Sequence, residues 1–103
     1  MRAFEVTEAA RADLFEIWDY IRADNIDAAD RVIDRLHDAF VKLGRNPMLG
    51  HLREDLADRE HRFFLVYSYL IVYLAVNKPI QIVRVLHAAR NVQNILGFAP
   101  DES

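Results

Sequence analysis

Residues 62–87 read "RFFLVYSYLIVYLAVNKPIQIVRVLH". Most positions are β-branched, aromatic or leucine, the composition of strands packed on a pleated surface. The stretch predicts three strands, Arg62–Tyr67, Tyr69–Val76 and Ile80–Leu86. Ser68 alone is too short for a hairpin turn, so the first connection is expected to span Val66 to Tyr69. Asn77 and Pro79 supply the second turn. Strict alternation places Ile80, Ile82, Arg84 and Leu86 on one face of the third strand. Gln81, Val83, Val85 and His87 fall on the other.

Upstream the apolar period changes from two to that of a helix. Residues 2–6, "RAFEV", alternate as a short strand, and Thr7 follows as an N-cap with Glu8 in the first turn. Ala10, Leu14, Ile17, Trp18 and Ile21 then form one apolar stripe, with Arg11, Asp13, Glu16, Asp19 and Arg22 on the other face. A second stripe runs through Ala29, Val32, Ile33, Leu36, Phe40 and Leu43. Asp27 is its expected cap, and Gly44 with Asn46-Pro47 its expected stop. So short a connection implies an antiparallel helical hairpin. After His87, "AARNVQNIL" suggests a short C-terminal helix.

The predicted order is β-α-α-β-β-β plus that helix. This is an α+β domain, with the hairpin on one face of a small antiparallel sheet. One domain is expected over residues 1–97, with 98–103 as a loose tail. The expected core comprises Phe4, Leu14, Ile17, Trp18, Val32, Leu36, Phe40, Phe64, Val72, Ile82 and Val83.

Composition narrows the function classes. Cysteine is absent, which excludes disulfides and thiolate metal sites and suits a reducing cytoplasm. The N-terminal "MRAFEVTEAAR" lacks the apolar core of a signal peptide. The longest apolar run, Phe63 to Val76, is too short and too polar to span a bilayer. A net charge of −3 argues against gripping nucleic acid by phosphate neutralisation. That charge is unevenly spread: residues 1–60 hold 14 acidic and 9 basic side chains, while 61–103 hold 2 and 4. Arg62, Arg84 and Arg90 have no acidic neighbour in the local sequence.

Four histidines (His37, His51, His61 and His87) show no i, i+4 pair, so no metal site is expected, and no cofactor. Phosphate-cradling glycine loops and serine elbows are absent. Tyr67, Tyr69 and Tyr73 suit strand packing better than base stacking. The remaining constellation is Arg62, Arg84, His87 and Arg90. Converging on one side of a sheet, these residues could hold a phosphate while His87 exchanges a proton. Equally, the cations could pair with acidic residues of the helical half.

Several segments together resemble the ParE branch of the RelE/ParE toxin superfamily, the toxins of type II toxin–antitoxin modules, also labelled plasmid stabilisation proteins. They are Ala10 to Ile21, Ala29 with "RVIDRL", "NPMLGHLRED", Arg62, "YLIVY" at 69–73 and "RVLHAARN" at 84–91. The similarity covers roughly residues 4 to 96. It implies a toxin neutralised by a cognate antitoxin with an N-terminal DNA-binding domain, in a hetero-oligomer. An acidic antitoxin tail would meet Arg62, Arg84 and Arg90.

The superfamily divides by mechanism, into RelE-like cutters of ribosome-bound messenger RNA and ParE-like poisons of DNA gyrase. His87 is followed by Ala88, no late tyrosine is present, and the chain is acidic overall. These features favour the gyrase poison, not an enzyme, with Arg62, Tyr73, Arg84, His87 and Arg90 at the target-binding surface. The alternative is an endonuclease using His87 as acid–base residue with Arg62 and Arg84 as phosphate clamps. A third possibility retains antitoxin binding alone.

Overall fold

The apolar stretch folds as three adjacent antiparallel strands, β2 (His61–Val66), β3 (Tyr69–Leu74) and β4 (Ile80–His87). The computed structural model describes residues 3–53, 60–76 and 78–88. Val66 pairs with Tyr69, so Tyr67 and Ser68 make a two-residue turn, with Tyr67 in the left-handed region at φ 53°. The N-terminal strand β1 (Phe4–Val6) joins in parallel beside β4, giving the order β1-β4-β3-β2. The sheet is therefore mixed rather than wholly antiparallel. The final helix, Arg90, the end of the domain at residue 97 and the tail at 98–103 lie outside the described residues.

Helices α1 (Glu8–Arg22) and α2 (Ile26–Arg45) pack on one face of the sheet. Thr7 caps α1 as expected, its hydroxyl accepting from the Ala10 N–H at 3.2 Å. The cap of α2 is Asn25, whose side chain accepts from the Ala28 N–H at 3.0 Å. Asp27, the expected cap, instead sits in the first turn, where its charge favours the helix dipole. Gly44 does not end the helix; α2 runs on to Arg45 and is capped by Asn46. Its value lies in contact: a Cβ there would stand 2.5 Å from the Ala3 carbonyl oxygen, so only glycine lets the helix approach the sheet edge.

The core joins Ala10, Leu36, Phe40 and Leu43 of the helices to Ile71, Tyr73, Ile80, Ile82 and Val85 of the sheet. Phe4, Leu14, Ile17, Val32 and Phe64 pack at its margin, partly buried. Trp18, expected in the core, is half-buried at the helix–helix seam. Its indole Nε1 donates to Asp30 at 2.9 Å, tying α1 to α2. Val72 is buried beneath the opposite face, where it pairs with Phe63.

A bulge in β4 changes which residues face the helices. Val72 pairs with Arg84 but Tyr73 pairs with Ile82, leaving Val83 as the extra residue. Ile80 and Ile82 face the helical core before the bulge, and Val85 faces it afterwards. The uniform alternation read from the sequence therefore breaks at Val83, which is only half-buried.

Candidate functional site

Past Ile82, β4 has outrun its β1 partner, and the start of α1 covers that edge instead. The Thr7 N–H donates to the Ile82 carbonyl at 3.0 Å, and its hydroxyl donates to the Val83 carbonyl at 2.9 Å. Six residues after Thr7, the buried Asp13 carboxylate accepts from the Val85 N–H at 2.9 Å. The same carboxylate receives the Arg84 guanidinium on both oxygens, at 2.7 and 2.9 Å. Asp13 thus supplies the acceptors that an additional strand would have provided. These hydrogen bonds hold Arg84 above its ordinary pKa, with the charges of Asp13 and Glu16 adding to the effect against desolvation.

Arg62 and Tyr73 form a second cluster, on β2 and β3. They are direct cross-strand partners. The Tyr73 hydroxyl donates to the Pro47 carbonyl at 2.7 Å and accepts from the Gly50 N–H at 2.8 Å. Arg62 donates to the Gly50 carbonyl at 2.7 Å. Both side chains therefore hold the turn that follows α2. Burial raises the Tyr73 pKa, opposed by the Gly50 hydrogen bond and the nearby Arg62 charge. Tyr73, expected at the target-binding surface, is fully buried, because its hydroxyl satisfies the backbone of that turn.

His87 lies at the end of β4, exposed, with its ring set edge-on to Tyr69 at 5.7 Å between centroids. It lines a groove of about 580 Å³ between α1 and the sheet, with Asp13, Glu16, Ile17 and Tyr20 on the helical side and Tyr69 on the floor. Among the described sequence candidates, Arg84 and His87 come near this groove, Arg84 through its grip on Asp13. Arg62 belongs to the turn cluster, and Arg90 lies outside the described residues.

Asp13 is the residue the sequence reading misses, since it places Asp13 on the face opposite the apolar stripe. It falls three residues after Ala10 and four before Ile17, inside the arc of the buried stripe, and that was the available signal. No group of three or more potential metal ligands occurs among the described residues. No helix among them is long and apolar enough to cross a membrane.

The family model described as "ParE toxin of type II toxin-antitoxin system, parDE" matches residues 4–92. The chain belongs to the ParE toxin family. This ParE-family chain also shares its fold with a solved structure titled "Chromosomal ParDE TA system from P. aeruginosa". The TM-score is 0.69 at 21% identity, covering 84% of this chain and 96% of the other. No curated protein matches the sequence. In this ParE-family chain both clusters serve the fold: Asp13–Arg84 closes a sheet edge, and Tyr73–Arg62 holds a turn.

Proposed function

We propose that this ParE-family toxin poisons DNA gyrase by binding, and that a cognate antitoxin neutralises it by covering its surface in a cytoplasmic hetero-oligomer. The observation that carries the reading is the state of the two arginines. Arg84 is held on both oxygens of Asp13, and Arg62 donates to the Gly50 carbonyl of the turn after α2. RNA cleavage by a protein side chain needs an acid, a base and cations aimed at the phosphate. Among the described residues, Arg62 and Arg84 belong to different clusters and do not converge on one phosphate position beside His87. The antitoxin's DNA-binding domain would regulate the operon, so this chain, with its net charge of −3, has no need to grip nucleic acid itself.

The test is to induce the chain without antitoxin and follow gyrase and transcripts together. Gyrase-linked DNA breaks and lost supercoiling with intact transcripts are expected. Transcripts cut on ribosomes beside normal gyrase would replace this reading with the endonuclease, and His87→Ala would then abolish cutting. Unimpaired growth at full expression would leave antitoxin binding alone.

A further inference from the structure

The groove between α1 and the end of β4 has a charge balance opposite to the one expected for this half of the chain. Among the described residues, the arginine beside it is already engaged: Arg84 lies in a two-pronged ion pair with the lining residue Asp13. Glu16 then stands exposed on the wall, without an ion-pair partner among the described residues. Beside it are two phenol rings, Tyr20, which is 83% exposed, and Tyr69. Ile17 contributes an apolar wall.

We infer that this groove receives an arginine or lysine side chain from a segment of a partner protein. The three kinds of lining match the three parts of such a side chain. Its aliphatic stem would lie against Ile17, and its cationic head would meet the Glu16 carboxylate. The faces of Tyr20 and Tyr69 add the attraction of an aromatic ring for a cation. The groove volume is in the range of sites that take side chains or small ligands. An acidic segment is disfavoured there, since it would confront Glu16 while Arg84 is already engaged by Asp13. The inference holds whichever target the toxin poisons.

Three capped, fluorescein-labelled octapeptides test it, identical in their leucine- and alanine-rich flanks and carrying arginine, norleucine or glutamate at the centre. Each is titrated into the full chain by fluorescence polarisation and by amide chemical shifts. The arginine peptide should bind about fivefold more tightly than the norleucine peptide, the scale of one exposed ion pair. The glutamate peptide should bind most weakly. Shifts should gather at Ile17, Tyr20, Tyr69 and His87. Glu16→Gln should erase the arginine preference, and Glu16→Lys should reverse it. Equal affinities, a preference for glutamate, a preference surviving Glu16→Gln or shifts gathered elsewhere would each overturn the inference. So would failure of all three peptides to bind.

Discussion

Arg84 and Asp13, 71 positions apart in the chain, meet in a two-pronged ion pair at 2.7 and 2.9 Å. The same carboxylate also holds the Val85 N–H at 2.9 Å, so removing it orphans a charge and a buried backbone donor together. Asp13→Ala should cost about 2–4 kcal/mol in urea unfolding. Asp13→Asn keeps an acceptor for Val85 and should cost about 1–2 kcal/mol. Replacing both partners, as in Asp13→Leu with Arg84→Met, should recover part of the loss, because no uncompensated charge remains. The Val85 donor would still be unmet, so recovery should stop short of the parent stability.

Tyr73→Phe should cost about 1–3 kcal/mol, since it strands both the Pro47 carbonyl and the Gly50 N–H. It should also change the alkaline limb of stability. Burial raises the folded-state pKa of Tyr73 above the ordinary 10.0. The unfolded chain therefore ionises first, and this contribution is fully present below pH 10.0 and declines as pH climbs beyond it. Unfolding free energies measured across that range should fall less steeply in the phenylalanine variant.

Gly44→Ala gives a sign test. By helix propensity alone, alanine inside α2 should stabilise by about 1 kcal/mol. The added Cβ would meet the Ala3 carbonyl oxygen at 2.5 Å and the Ala3 Cβ at 2.7 Å. Overpacking of this kind costs about 1–3 kcal/mol, and against a backbone oxygen it should outweigh the propensity gain, so a lowered melting temperature is expected.

Thr7 serves two elements through one hydroxyl, capping α1 and donating to the Val83 carbonyl. Thr7→Val keeps the shape and loses both bonds, for about 1–2 kcal/mol. Thr7→Ser should stay within about 0.5 kcal/mol of the parent in thermal unfolding, because both bonds survive.

The element order was legible because its signals are local. The stripe from Ala10 to Ile21, the stripe from Ala29 to Leu43 and the aromatic, β-branched stretch from Phe63 onward each declare a period within a few turns or residues. The turn between Val66 and Tyr69 was legible for the same reason. The α2 boundaries were less so, since Asn25 and Asp27 are both good caps two residues apart, and Gly44 marks an approach rather than an end.

The candidate site was legible in its residue types but not in its assembly. Arg84 looked like an unpaired cation because no acid lies near it in sequence, yet its partner waits on the first helix. Tyr73 read as one of three similar strand tyrosines; only the turn at Pro47–Gly50 made it a buried anchor.

By itself, then, the sequence determined the helical hairpin, the three-strand stretch and the family likeness, all carried by short-range periodicity and motif spacing. Tertiary structure alone decided three things: the bulge at Val83, the closing of the β4 edge by Asp13, and a groove acidic where positive surface was expected. The reason is physical. Backbone groups left open where β1 ends must find partners, and which side chain supplies them depends on how the helix crosses the sheet, a relation that no local pattern records.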